Sequence, residues 1–270
     1  MTTGRIIAGP SHPLASSLSR VGWCASVVLG VIGGYTLLAL PIAAWITSPV
    51  VATMTVGGIV VVAVGCVRLL RPQLVSYGPA PLPPGDARRQ RGFWRWAALA
   101  AALAFLAGQA NALMLYGLIG SAGFDRHLDV ERASATALVV ALTLVVAPLS
   151  EETLFRGLAY PLLRRRTSIV AATLITTLVF ACVHGNLVQA AATAPLGIVL
   201  ALVAERTRGL WQVVVVHAAY NLAAMLVPPQ AIHALAAPHY VVPLAAAWTV
   251  CLAPLFVRAR STGAAAVVPG

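Results

Sequence analysis

Three short segments place ionisable side chains inside long apolar runs. They read EETLFR at 151–156, FACVH at 180–184 and HAAYN at 217–221. A charged group at the centre of a membrane helix costs at least about 2.5–3.5 kcal/mol on insertion scales, and such groups persist where they pair, line a wet cavity or do chemistry. We therefore expect an active site inside a membrane.

The first segment offers two adjacent carboxylates for different tasks. Glu151 and Glu152 point about 100° apart on a helix, so they cannot share one face. Arg156 follows Glu152 by four residues and can pair with it directly. Glu151 has no such partner, and a carboxyl group in an apolar cavity suits a general base. We expect Glu151 to do chemistry and the Glu152–Arg156 pair to hold the architecture.

The other two segments each place polar and aromatic groups four residues apart. Phe180 and His184 share one helical face, where the aromatic ring can fix the imidazole. His217 and Asn221 form a polar stripe on another helix. Asn is unfavourable in a membrane unless hydrogen-bonded, so this stripe is expected to face the protein interior.

Taken together, these groups suit two schemes for hydrolysing an amide. Glu151, His184 and His217 could bind a divalent metal such as zinc with an open position. Alternatively, Glu151 and His184 could deprotonate a water while His217 and Asn221 stabilise the oxyanion. The chain lacks the H-E-x-x-H pattern of common zinc proteases, so a metal site would be assembled across helices. The residues leave the choice open.

The composition is that of an integral membrane protein. The chain is 60% hydrophobic and 9% charged, with a mean hydropathy of +0.88. Soluble domains carry about 25% charged residues. The four cysteines lie within apolar runs and match no zinc or redox spacing, so we interpret them as small apolar side chains.

The fold class expected is an all-α polytopic bundle of about eight transmembrane helices. The apolar runs predict spans at 21–46, 50–67, 93–119, 135–160, 168–184, 187–204, 210–227 and 240–257. Around this membrane domain, 21–258, we expect a cytoplasmic tail at 1–20 and a disordered tail at 259–270. The motif-bearing core is 136–227, and a basic, Pro-rich inner loop lies at 71–92.

The arginines predict the orientation. All 18 basic residues are Arg. With the N-terminus and C-terminus cytoplasmic, fifteen fall inside, two (Arg126 and Arg132) fall outside, and Arg156 lies within a helix. This asymmetry fits the positive-inside rule. Because the arginines lie between apolar runs, the net charge of +11 indicates a membrane surface and not nucleic acid. Glu205, beside Arg206 and Arg208, is expected to form part of a solvated inner rim.

The predicted spans leave one geometric problem. On straight helices, Glu151 lies about 20 Å from Arg164, whereas His184 lies about 27 Å from Arg166. Residues that share one water cannot differ so much in depth. We therefore expect either a tilt of the fifth span or an elbow at 158–167, with Pro161 helping to make the bend.

The three motifs resemble those of the CPBP family, the CAAX-prenyl-protease and bacteriocin-processing (Abi) intramembrane proteases. The family pattern E-E-x-x-x-R, F-x-x-x-H and H-x-x-x-N/D occurs here in the same order, from Glu151 to Asn221. The resemblance covers about a third of the chain, roughly 138–226, and the first half carries no recognisable motif.

The resemblance implies an endopeptidase that hydrolyses a peptide bond of a membrane-associated peptide or protein, with its site within the bilayer. It implies Glu151, His184, His217 and Asn221 as catalytic residues, with Glu152, Arg156 and Phe180 supporting them. The Arg- and Ala-rich composition suggests a bacterial plasma membrane. Two other functions remain open: a non-catalytic immunity or scaffold protein of the same fold, and a proton-coupled transporter. The sequence is silent on oligomeric state.

Overall fold

The computed structural model describes residues 13–75 and 87–260. Within these ranges the chain is helical between short turns and contains no strand. The ten helices are α1 (Pro13–Trp45), α2 (Pro49–Leu70), α3 (Ala87–Ile119), α4 (Ala122–Ala133), α5 (Thr136–Arg164), α6 (Ile169–Cys182), α7 (Leu187–Thr207), α8 (Leu210–Leu226), α9 (Pro229–Ala236) and α10 (Pro238–Arg260).

The predicted all-helical membrane bundle is confirmed, with fewer full spans than expected. Six described helices are long and apolar enough to cross a membrane: α1, α2, α3, α5, α7 and α10. Helices α8 and α9 would make a seventh span if taken together, but they meet at a bend of 95°. The predicted fifth span is α6, whose 14 residues reach about 21 Å, against about 30 Å of hydrocarbon.

The predicted domain boundaries are only partly covered by the described residues. Helix α1 begins at Pro13, so the second half of the expected tail at 1–20 is helical. The Pro-rich part of the loop at 71–92 lies in the undescribed range 76–86, between a short helical turn at Pro72–Leu74 and α3. Helix α10 extends to Arg260, and the rest of the expected tail at 259–270 lies outside the described residues.

The arginine-rich helix ends gather at one end of the bundle. Arg166, just after α5, lies 4.6 Å from the ring of Trp23 near the start of α1. Arg206 at the end of α7 lies 5.8 Å from the ring of Phe93. Arg258 near the end of α10 lies 5.7 Å from that of Trp96. These contacts support the predicted alternation of the helices, while the membrane side that this end faces stays a prediction.

Small residues bring the helices into close contact around the central helix α7. A Cβ atom added at Gly108 in α3 would lie 2.5 Å from the backbone oxygen of Ala192 in α7. It would also lie 3.2 Å from the hydroxyl of Tyr220 in α8. Three helices therefore meet at a point where only glycine fits, as is common between membrane helices.

This close approach predicts that Gly108→Ala destabilises the bundle. The added methyl group would push α3 away from the backbone of α7, and such overpacking costs about 1–3 kcal/mol. Gly34→Ala in α1 is the matched control, because no atom lies within 4 Å of its added Cβ. Thermal unfolding in detergent should show a lower midpoint for the Gly108 variant alone; equal midpoints for both variants would contradict the packing described here.

Candidate active site

Two π-helical turns flank the pair of glutamates in α5. The turns are Leu142–Val146 and Phe155–Ala159, and each ends two residues before a proline, Pro148 or Pro161. Proline has no N–H, and its ring clashes with the carbonyl four residues earlier. The helix widens locally in both places, and π turns of this kind are frequent at functional sites.

The first π turn leaves a backbone carbonyl group to which Asn221 donates a hydrogen bond. Ala147 donates its N–H to Leu142, and Pro148 has no N–H to donate, so the carbonyl of Thr143 lacks its helical partner. The side-chain nitrogen of Asn221 donates to that carbonyl at 2.8 Å. Through this bond Asn221 ties α8 to α5 just before the glutamates, and the catalytic role expected for Asn221 stays a prediction.

The predicted ion pair between Glu152 and Arg156 forms and is fully buried. Arg156 Nη1 donates to Glu152 Oε1 at 3.0 Å, and neither side chain is exposed. Arg156 Nη2 donates to the carbonyl of Gly197 in α7 at 2.8 Å. The guanidinium group also lies 4.8 Å from the ring of Phe180. Because a buried ion pair is favourable only with good geometry and further hydrogen bonds, these contacts account for its place in the core.

The same oxygen of Glu152 also holds His217. His217 Nδ1 lies 2.7 Å from Glu152 Oε1. Since that oxygen is a carboxylate acceptor paired with Arg156, we assign the proton to Nδ1. The other ring nitrogen, Nε2, then lies 3.9 Å from Glu151 Oε2. That distance is too long for a direct hydrogen bond, but one water can bind both atoms.

The ring of Phe180 contacts both histidines. Its ring centroid lies 5.2 Å from that of His184 and 5.8 Å from that of His217, in both cases edge to face. His184 Nδ1 lies 2.8 Å from the backbone carbonyl of Phe180. A carbonyl only accepts, so Nδ1 carries the proton and Nε2 keeps its lone pair. The predicted contact between Phe180 and His184 is therefore confirmed.

The expected difference in depth between Glu151 and His184 does not arise, and neither does an elbow at 158–167. Helix α5 continues to Arg164, and α6 begins only at Ile169. The residues of the turn between α5 and α6 therefore do not lengthen α6 along the bundle. Counted from Thr167, Glu151 and His184 lie sixteen and seventeen residues away on the two arms of one hairpin. His184 lies in the turn after α6, followed by Gly185 with a φ of +74°.

Glu151 and His184 line one cavity. It lies between α1, α2, α5 and the turn that follows α6, and its empty space, including the part open to solvent, is about 630 Å³. Its walls are largely apolar, including Val31, Val60 and Leu154. Gly57 allows α2 to approach α5 closely, since its added Cβ would lie 3.0 Å from the hydroxyl of Ser150. The side chain of Glu151 is 29% exposed, whereas that of Glu152 is fully buried.

The predicted residues thus come together, but not all on the cavity wall. Among the described residues, the lining includes Glu151 and His184 but neither His217 nor Asn221. His217 Nε2 lies 3.9 Å from Glu151 Oε2, one of the carboxylate oxygens of a residue that does line the cavity. Within the same ranges, no three His, Cys, Asp or Glu side chains are arranged to hold a metal ion. A metal bound by Glu151, His184 and His217 therefore stays a prediction.

A second buried polar cluster contradicts the expectation for Glu205. The side chain of Glu205 is 5% exposed and not part of a solvated rim. Arg164 donates to both of its carboxylate oxygens, at 3.0 and 3.2 Å, and Tyr160 donates at 2.9 Å. The residues lie 41 and 45 positions apart, so no local spacing could have indicated this contact. The cluster locks the end of α5 against α7.

The motif-bearing segment is similar to known proteins. Residues 133–223 match the family described as type II CAAX prenyl endopeptidase Rce1-like. A Bacillus subtilis (strain 168) protein named "Putative membrane peptidase YdiL" is 27% identical over 126 residues, 43% of this chain and 52% of that protein. The chain thus spans about half the length of this curated relative. No solved structure matches the chain.

All three motifs lie inside the residues that match the family. The resemblance that the motifs indicate is therefore confirmed for this segment, which is similar to CPBP-family proteases.

Proposed function

We propose that this multi-pass membrane protein is an intramembrane endopeptidase that uses Glu151 as its general base. One observation carries the proposal. Of two adjacent carboxylates, Glu152 is buried in an ion pair, whereas Glu151 lines an apolar cavity together with His184. The family that the segment matches and the name of the Bacillus relative both point to peptide hydrolysis.

Glu152 and Arg156 serve this chemistry by holding His217. The carboxylate of Glu152 accepts from Arg156 and from His217 Nδ1, which fixes the orientation of the imidazole ring. His217 Nε2 is then directed towards Glu151. A carboxylate that orients a histidine in this way recurs in hydrolase active sites. His217 is therefore a positioning residue, which acts on the substrate through Glu151.

The reaction follows from the two groups on the cavity wall. A water held between Glu151 and His184 gives one proton to Glu151, and its oxygen forms a bond to the carbon of the scissile carbonyl. The negative charge moves to the carbonyl oxygen. The C–N bond then breaks, and Glu151 returns the proton to the leaving nitrogen. The products are a carboxylic acid and an amine, and no other reactant is required.

The cavity sets the class of substrate. Its apolar walls formed by α1, α2 and α5 suit an apolar peptide segment or a lipid-modified one, presented from the membrane.

Glu151→Gln should abolish cleavage and leave the fold intact. The variant keeps the shape of the side chain but cannot take a proton, and loss of general base catalysis reduces rates by about 10²–10⁴-fold. Liposomes carrying the purified protein would be assayed with quenched-fluorescent peptides that bear an apolar or lipidated anchor. The matched control is Glu131→Gln on the exposed helix α4. Cleavage by the Glu151 variant at the wild-type rate would refute the proposal.

Cleavage should survive removal of metal ions. The described His, Cys, Asp and Glu side chains do not form a site for a divalent cation, so no step is assigned to one. After exhaustive chelation, the metal content should be far below one ion per chain while the rate stays within about two-fold. Loss of activity that zinc restores would show that the ligands rearrange around a metal.

Arg156→Met should destabilise the protein strongly. It would leave Glu152 as a buried, unpaired charge, and breaking such a pair costs about 3–5 kcal/mol. Arg132→Met removes an exposed partner of Asp129 and should have almost no effect, because both side chains are 74% exposed. Denaturation in detergent micelles would compare the two variants. Similar stability losses for both would show that the buried pair is not a central support of the fold.

A further inference from the structure

The cavity contains one hydroxyl group that the rest of the protein does not use. Tyr35, Thr53 and Ser150 are the hydroxyl-bearing residues of its lining among the described residues. Thr53 donates to the carbonyl of Pro49 at 2.8 Å, and Ser150 donates to that of Ala147 at 3.2 Å. Within the same ranges, the hydroxyl of Tyr35 makes no hydrogen bond.

The oxyanion that forms during hydrolysis needs hydrogen-bond donors. Negative charge develops on the carbonyl oxygen of the substrate, and preorganised donors usually stabilise it. One N–H of the Asn221 amide binds the carbonyl of Thr143, and His217 Nδ1 binds Glu152. His184 uses its Nδ1 proton on Phe180. A hydroxyl group on another wall of the cavity would add a donor to those that the motif residues still supply.

Tyr35 lies where its hydroxyl group can act as such a donor. It lies on α1, one helical turn after Val31, and both side chains line the cavity that Glu151 lines from α5. Its ring packs against the α2 residues Val56 and Val60. The ring is thereby held on the wall formed by α1 and α2, and its hydroxyl is close enough to Glu151 to interact with it electrostatically.

We infer that Tyr35 is a catalytic residue, whose hydroxyl donates a hydrogen bond to the oxyanion that forms when Glu151 delivers hydroxide to the scissile carbonyl. The inference rests on the proposed peptidase function. It adds a residue from α1, which lies outside the segment 133–223 that matches the family. The substrate carbonyl then lies between the α1 wall, which carries the donor, and the α5 wall, which carries the base.

The test is Tyr35→Phe, which removes the oxygen and keeps the ring. Loss of one oxyanion donor lowers kcat by about 10²–10³-fold, while KM changes little. The Ki of a phosphinic peptide, which mimics the tetrahedral intermediate, should rise by the same factor as kcat/KM falls. Titration with this inhibitor gives the fraction of active protein, so a partly unfolded preparation cannot imitate the effect. Tyr240→Phe, on the exposed start of α10, is the matched control.

The outcomes separate the two claims. If the wild type cleaves and Glu151→Gln does not, an unchanged kcat in Tyr35→Phe overturns the inference and leaves the proposed function standing. A change in KM alone, with an unchanged Ki for the phosphinic peptide, also overturns it, since Tyr35 would then only bind substrate. If wild type and Glu151→Gln both fail to cleave, the proposed function fails and the role of Tyr35 fails with it.

Discussion

The buried contact between Glu152, Arg156 and His217 is the interaction on which the rest of the site depends. One carboxylate oxygen accepts from both partners, at 3.0 and 2.7 Å, and joins α5 to α8. Arg156 carries the connection to α7 through the carbonyl of Gly197. A charge left without these partners would be very unfavourable in the core of a membrane protein. The helices that carry the three motifs are therefore held in one relative arrangement.

That arrangement divides two chemically identical side chains into different roles. The helical rotation between neighbours directs Glu152 into the core and Glu151 towards the cavity. π turns widen the helix on either side of the two glutamates. The first of them leaves the carbonyl of Thr143 without a helical partner, and Asn221 donates a hydrogen bond to it. Phe180, fully buried, packs edge to face against the two imidazoles and restricts their rotation. The site is thus preorganised by packing and by hydrogen bonds that are already made.

The sequence predicts the local contacts of the site well, because they follow from helical periodicity. The pairs Glu152–Arg156 and Phe180–His184 lie four residues apart and meet as expected. Contacts between distant segments could not be derived in this way. The bond between His217 and Glu152 spans 65 residues, and that between Tyr160 and Glu205 spans 45. The predicted spans identified the helices but not their lengths, since hydropathy does not show that α6 ends after 14 residues.

The central claim is that Glu151 is the accessible carboxylate and Glu152 the enclosed one. Labelling with a membrane-permeant carbodiimide over a series of pH values, followed by mass spectrometry, tests it most directly. The account predicts modification of Glu151, whose side chain is 29% exposed, and protection of Glu152, whose side chain is buried. A phosphinic peptide bound in the cavity should block the labelling. Modification of Glu152 at the same rate as Glu151 would contradict the account.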